Sequence, residues 1–528
     1  MRSILLIIVG AFLSISCTKK SSKIEYGLDL NETLRVTVLT EPPTLDHNKS
    51  TDTTSSKILY NIMAGLTAYN YEDPELSLLP GLAESWSSSK DAKEWTFRLR
   101  KDVKWTDGVP FKAQQVKDGW LRLLDPKTAS EYAYFLHGIK NAQDYNMGKT
   151  KDPNDVGITV VDDHTIKVEL EETMSYFPYL MTHPSTYPVR LDVIQKHGDN
   201  WTEPENIQGL GPYTLKVWDH DKALVLERNP NFYGKPAAIK NVIVYIINEL
   251  STAINLFDAG KLDSVDELPK SELAALKNRP EYKYHSFLIL QYYGFNVEQE
   301  PFDNENFRKA IAHAIDKTEI IKVLGGNDIA MNSWVPAGMF GYEPDMGLQF
   351  DVEKAKEYLA KAGYDSEEKL PKIALAFNTN ENHQKVAENV QAQLKKNLGI
   401  TMEVKNEEWK VYLANLKANK HGMYRMGWVA DYPDPDNFLN LMTSYSQNNR
   451  SRWKNKDYDK LVEQAAAELD KQKRKDLYRE AQKILLEQDT PVIPLFTSVH
   501  HLLVGDRVEN YPMNVLNNLE FKNVRLKQ

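Results

Sequence analysis

A single cysteine stands in 528 residues, so no disulfide can form within the chain and the fold must rest on burial and hydrogen bonding. A surplus of positive charge is also missing. Against 65 Lys and Arg there are 74 Asp and Glu, a net charge of −9, and no long basic stripe offsets it; this argues against a nucleic-acid binder. Beyond the first residues no apolar run is long enough to cross a bilayer. Catalytic motifs are scarce: there is no G-x-S-x-G elbow, no H-E-x-x-H and no Gly-rich phosphate loop. S-x-x-K occurs at Ser87 to Lys90 and at Ser451 to Lys454, without the S-D-N and K-T-G partners that would give it meaning. Asp434 and Asp436 have the spacing of a calcium loop, yet Phe438 holds the next ligand position and no glycine makes the turn. The histidines show no metal-ligand spacing. These absences imply no cofactor and no metal site, and place an enzyme behind a binding protein.

What is present is ordinary in composition, 41% hydrophobic and 26% charged, and long enough for two to four domains. The 27 Tyr and 10 Trp suit cores, and equally suit clefts that grip flexible ligands. At the start, Arg2 is followed by an apolar run, Ile4 to Leu13, of signal-peptide length, then by Ser14, Ser16 and Cys17. The order is similar to a bacterial lipoprotein signal in which Cys17 becomes the lipidated first residue. Leu13 is one place too far from the Cys, and Ile15 stands where a small residue is usual. The alternative is an ordinary secretory signal with an incidental Cys. Residues 18–23 then read as a polar tether.

Downstream, strands and helices alternate. Leu34 to Leu39 is a strand, and Ser55 to Leu66 has helical spacing. Trp95, Phe97 and Leu99 alternate with polar residues as in a half-buried strand, and Lys112 to Leu124 is a helix. Strands follow at 165–170, 213–217, 223–227 and 240–247, then a helix at 251–259 closed by Gly260. Residues 306–324 read as one amphipathic helix. Lys372 to Asn378, His383 to Leu398 and Ile400 to Val404 form a β-α-β unit with parallel strands. Leu461, Ala465 and Leu469, then Leu477, Ala481 and Leu485, mark two helices, and Val492 to Phe496 is a late strand. In Arg425 to Phe438 an apolar run stops at Asp431, and Pro433 and Pro435 prevent continuation. A strand therefore ends there and delivers Trp428 and Asp431 to an edge or cleft; the competing reading is a structural Trp and a turn Asp.

The segments W-T-F-R-L-R-K-D-V-K-W-T-D-G-V-P-F-K-A (Trp95 to Ala113), R-N-P-N-F-Y-G (Arg228 to Gly234), Asn255 to Asp263, F-R-K-A-I-A-H-A-I-D-K (Phe307 to Lys317) and G-W-V-A-D-Y-P-D-P-D-N-F-L (Gly427 to Leu439) resemble, in order, the extracytoplasmic solute-binding proteins of oligopeptide and dipeptide ABC transporters. The likeness covers roughly residues 30 to 525. A-D-Y and the E-W-K at Glu408 to Lys410 look more like the oligopeptide branch. The resemblance implies an α/β, two-lobed periplasmic-binding-protein fold of the large three-domain, type II-like peptide-binding kind, closing about a hinge. On that pattern residues 1–16 are a signal peptide and 17–29 a tether. Residues 30–65, 187–289 and 498–528 form a discontinuous first lobe, 66–186 an inserted domain, and 290–497 the second lobe.

The resemblance also implies the site. Asp431 matches the carboxylate that takes a ligand's α-ammonium. Trp428 and Val429 line the first side-chain pockets and offer backbone, flanked by Gly427 and Ala430. Arg425 matches a basic position for the ligand C-terminus. Asn378, Glu381 and His383 form a second cluster for charged ends, Tyr132 is an aromatic from the inserted side, and Trp409 belongs to the same ligand-binding set. Departures stand at Val429, a Cys in some relatives; at Leu416, where a second basic residue is expected and Lys417 is adjacent; and at Thr51, where an acid is expected and Asp52 is adjacent. The implied protein is a monomer held by lipid at Cys17, in the periplasm or on the cell surface. It passes oligopeptides to an ABC permease whose ATP hydrolysis lies on other subunits. Rival readings are another cargo (muropeptide, dipeptide, haem, a nickel complex or an opine) or an adhesin or receptor reusing the fold.

Overall fold

A computed structural model describes residues 23–527. Cys17 and the signal segment lie outside the described residues.

Strand Thr33–Val38 is buried along its whole length and pairs in parallel with Asn241–Ile246. Ala223–Arg228 and Tyr213–Asp219 complete this four-stranded sheet as an antiparallel hairpin. A three-stranded sheet stands beside it, with Val499–Val504 between Ser264–Val265 and Tyr282–Ser286. The residues between these strands supply a third layer: Ala83–Ser88, Glu94–Leu99, Thr165–Glu169 and Ile158–Asp162 make an antiparallel sheet. Trp95, Phe97 and Leu99 are buried, as their alternation predicts, and Trp95 and Phe97 meet Trp120 of helix Ala113–Leu124 through Phe177.

The other half of the molecule is built on a six-stranded mixed sheet. Its order is Ile329–Ala330, Val492–Thr497, Ile289–Phe295, Met423–Val429, Lys372–Asn378 and Thr401–Glu407. The last two are parallel and joined by helix Glu381–Leu398, as the β-α-β spacing requires. That helix starts where Asn380 caps the amides of Asn382 and His383 and stops at Gly399, whose φ is 73°.

Two expectations change. Residues 306–324 form two helices, Glu305–His313 and Lys317–Leu324. The break comes where Asp316 caps the amides of Thr318 and Glu319, and a local cap outcompetes continuation of the helix. Likewise helix Lys456–Ala467 ends before Leu469, which is 71% exposed, because Asp470 caps the next helix, Lys471–Lys483.

The chain passes between the two halves at two adjacent points. Tyr282–Ser286 belongs to the three-stranded sheet and Ile289–Phe295 to the six-stranded one; Val492–Thr497 and Val499–Val504 make the reverse passage with only Ser498 between. This is the two-lobed plan that the resemblance implies.

Buried ionic contacts draw distant segments of the first half together. Asp263 is 2% exposed and receives Arg35 through Nε at 3.1 Å and Nη2 at 2.8 Å, and Arg507 through Nε at 2.8 Å and Nη2 at 2.9 Å. Arg507 also donates to the carbonyls of Leu30 and Thr33. One carboxylate thus ties the first strand to the C-terminal segment. Asp263→Ala would strand two arginines in a largely dry site. The expected loss is about 3–5 kcal/mol, read from the urea midpoint of the four-stranded-sheet lobe, and a loss below about 1 kcal/mol would contradict this role.

Candidate functional site

Met423–Val429 is the strand that positions the site. It lies inside the six-stranded sheet, antiparallel to Ile289–Phe295 and parallel to Lys372–Asn378. Side chains alternate across it, so Arg425, Gly427 and Val429 share the half-buried face while Tyr424, Met426 and Trp428 are buried on the other. Ile289 stands opposite Val429 and Gln291 opposite Gly427. This face forms the floor of a cavity of about 1230 Å³. Asn378, His383 and Trp409 add to the floor, while Thr53, Lys57, Glu267 and His500 come from the opposing half.

Arg425 is half-buried in the floor. It donates through Nη1 to Asn378 Oδ1 at 3.1 Å and through Nη2 to Gln291 Oε1, and among the described residues it pairs with no carboxylate. Burial pulls its guanidinium below the ordinary value, with nearby tyrosines and Glu267 acting in the other direction. Gly427 makes this geometry possible, because a Cβ there would lie 2.8 Å from Gln291 Oε1 and 3.0 Å from Arg425 Nη2. His383 is held well below its ordinary pKa by burial and then by Arg425. Its Nδ1 faces the Asn378 carbonyl at 3.3 Å, so Nδ1 carries the hydrogen and Nε2 presents a lone pair.

Asp431 follows the strand end, its side chain 12% exposed. Asn437 Nδ2 donates to Oδ2 at 3.0 Å, and the Tyr132 hydroxyl lies 3.3 and 3.4 Å from the two oxygens. His183 Nε2 lies 3.3 Å from Oδ1. The Ser185 amide donates to His183 Nδ1, which leaves Nε2 to carry the proton toward Asp431. Asn437 Oδ1 accepts from Trp428 Nε1 at 3.0 Å and from the Asp431 amide at 3.1 Å. Trp428 therefore faces away from Arg425 and Val429 and braces Asn437. The Asp431 carbonyl accepts from Tyr69, which lines a second cavity of about 500 Å³.

The structure thus brings Arg425, Val429, Asn378, His383 and Trp409 to one cavity, and gathers Tyr132 and Trp428 around Asp431. Gly427 and Ala430 contribute main chain, and the Ala430 amide is taken by the Leu288 carbonyl at 2.8 Å. Glu381, at the first turn of its helix, is not among the cavity-lining residues and feels Glu249 and Glu272 instead. Leu416 is core, 3% exposed. Asp52 is buried as the cap of helix Thr53–Ile62, and burial raises its carboxyl against hydrogen bonding from Ser55 and the nearby Trp409 side chain.

Sequence reasoning missed His183, Asn437 and Tyr69, and it missed the contact that holds the halves shut. Glu131, 6% exposed, pairs with Arg450, 7% exposed, and Lys417 Nζ reaches Glu131 Oε1 at 3.3 Å. Burial opposes both charges, yet the pairing holds Glu131 below and Arg450 above their ordinary values. Next to this latch runs an aromatic seam of Phe135, Tyr176 and Tyr432, with Tyr176 and Tyr432 stacked at 5.7 Å.

A family profile described as bacterial extracellular solute-binding proteins, family 5 middle, matches residues 77–450. The chain belongs to this family. It is 35% identical to the periplasmic oligopeptide-binding protein OppA of Salmonella typhimurium, over 92% of this chain and 90% of that protein. The crystal structure of Haemophilus influenzae OppA in complex with RPPGFSPFR superposes with a TM-score of 0.89 at 32% identity, covering 95% of this chain and all of that one. The unliganded open form of the murein tripeptide-binding protein MppA reaches only 0.64 at the same 32% identity, covering 94% and 98%. The present conformation is therefore the closed one, and the interlobe contacts above are contacts of closure.

Burial and the neighbouring Asp434 push the Asp436 carboxyl up to about 6, against hydrogen bonds from Tyr432 and Tyr176 and the charge of Arg474. The unfolded chain releases this proton first, so stability falls as pH rises from about 4 to about 6 and stays lowered above. Asp436→Asn should remove that slope, with a gain at neutral pH of at most about 3 kcal/mol. Urea midpoints measured at about pH 4 and about pH 8 check this, and an equal difference between wild type and variant at both would refute it.

Proposed function

We propose that this protein binds oligopeptides outside the cytoplasmic membrane and delivers them to an ABC importer. One observation carries the reading. Among the described residues, Asp431 has no Lys or Arg partner, only His183 at 3.3 Å, and Arg425 has no carboxylate partner, although both are largely covered and lie on and just past one strand. Buried charge without a counter-charge is costly, and a zwitterionic peptide supplies both counter-charges at once. The two groups are six positions apart along the chain, at most roughly 20 Å at full extension, which is the reach of a peptide of up to about six residues.

In this reading the peptide ammonium meets Asp431, oriented by Asn437, Tyr132 and His183, and the peptide carboxylate meets Arg425. Gly427, Val429 and Ala430 offer main chain, and Val429 and Trp409 wall side-chain space. His383 accepts from a ligand N–H or a bridging water through Nε2, so its role is that of an acceptor. Trp428 acts from behind the floor, and Asn378 steadies Arg425. Ligand completes the charge balance of the closed state and so shifts the population toward it. The permease then meets the closed form.

We assign the lobes as residues 30–65, 187–289 and 498–528 against 290–497, with 66–186 inserted, and attachment of a monomer through lipid on Cys17. Binding and release, without turnover of the peptide, is the activity proposed. Asp431→Ala should weaken binding of a free-amine peptide about a hundredfold or more by calorimetry, while an N-acetylated peptide binds wild type and variant alike. Unchanged tight binding in the variant would defeat the assignment. Native mass spectrometry of gently purified protein should show a mixed set of short peptides; one discrete non-peptide mass would point to another cargo.

A further inference from the structure

The charges that line the large cavity do not all cancel. Five side chains there are formally charged: Lys57, Asp266, Glu267, Lys270 and Arg425. Lys57 pairs with Asp266, and Lys270 pairs with Asp328, whose side chain is fully covered. Two remain, Arg425 and Glu267. Glu267 Oε1 accepts from Asn380 Nδ2 at 3.0 Å and from Asn382 Nδ2 at 3.3 Å. These donors are neutral amides, which orient the carboxylate but leave its charge in place. Oε2 receives no donor from the described residues, and Glu267 forms no ion pair with any of them. Arg425 senses the charge of Glu267, yet the two do not pair.

We infer that Glu267 is the receptor for a cationic ligand side chain, so that the cleft takes peptides with Lys or Arg at, or next to, the C-terminal residue. The inference rests on the reading of this cavity as a peptide cleft with Arg425 at its carboxylate end. Its position follows from the neighbours. Glu267 is held by Asn380 and Asn382, at the start of the helix that carries His383, and Asn380 lies two residues past Asn378, which binds Arg425. It therefore stands at the Arg425 end of the floor, remote from Asp431 along the strand. A peptide that ends in a basic residue presents a carboxylate and a cation side by side, matching the one uncompensated cation and the one uncompensated anion there. A neutral side chain would displace water from Oε2 and leave a carboxylate half satisfied, and an acidic one would add repulsion.

The test is calorimetry on wild type and Glu267→Gln, each freed of co-purified ligand. The probes are Ala-Ala-Ala, Ala-Lys-Ala, Ala-Ala-Lys and Ala-Ala-Glu, with their four- and five-residue analogues. Gln keeps the oxygen that accepts from Asn380 and Asn382, so closure is preserved and the charge alone is removed. In wild type, Lys at the last or penultimate place should bind about tenfold tighter than Ala, and Glu weaker than Ala. In the variant these differences should vanish, with Ala-only affinity within about twofold and the thermal midpoint unchanged. Wild-type binding of the Ala peptides with no preference for Lys would overturn the inference and leave the peptide reading standing. So would an equal loss for every peptide in the variant, which would mark Glu267 as a brace between the lobes. If no probe binds to wild type, the peptide reading fails and this inference falls with it.

Discussion

The rest of the structure depends on a constraint on buried charge: an ion removed from water must meet a counter-ion or pay heavily in solvation. Most ionic groups here obey it internally. Asp263 takes two arginines, and Glu131 takes Arg450 and Lys417. Asp431 and Arg425 do not, although the same strand delivers both. Closure therefore brings together a set of self-sufficient contacts and a few charged groups that need a partner from outside. The first set makes the closed shape geometrically available; the second makes its population depend on what occupies the cleft.

The supports of Asp431 show how that dependence is kept sharp. Donors from Asn437, Tyr132 and His183 fix where the carboxylate points, and none of them is a Lys or Arg. Tyr132 and His183 come from segments far from Asp431 in the sequence and meet it in this closed structure. Their rings pack at 4.5 Å, so an aromatic wall is assembled in the same step as the polar site.

Much of the frame was legible from local pattern. Alternation revealed Glu94–Leu99, a cap and a glycine bounded the helix ending at Leu398, and the prolines after Asp431 marked the end of the central strand. Where local pattern misled, another local signal had won: Asp316 and Asp470 start new helices inside runs whose apolar spacing continued. The site was legible only in part. Asp431 and Arg425 sit on one readable strand, whereas Tyr132 lies 299 positions away and Arg450 is 319 from Glu131. Nothing local in H-P-S-T-Y marks His183 as a neighbour of a carboxylate. Asn437 was closer to hand, because an Asn six residues past an Asp across a proline turn can fold back on it. Trp428 was read as a wall of the pocket, but strand alternation already placed it on the opposite face from Arg425.

The two passages between the lobes carry a mechanical consequence. Ser286 is paired with Val499 just before them and Gln291 with Phe496 just after, so the two short crossings run side by side, each bounded by an antiparallel ladder. Two adjacent crossings favour a swing of the lobes about a line through both of them. Each swing returns the same residues to the same register, so groups far apart in sequence meet without a search, and the entropy of aligning them is spent once, when the protein folds.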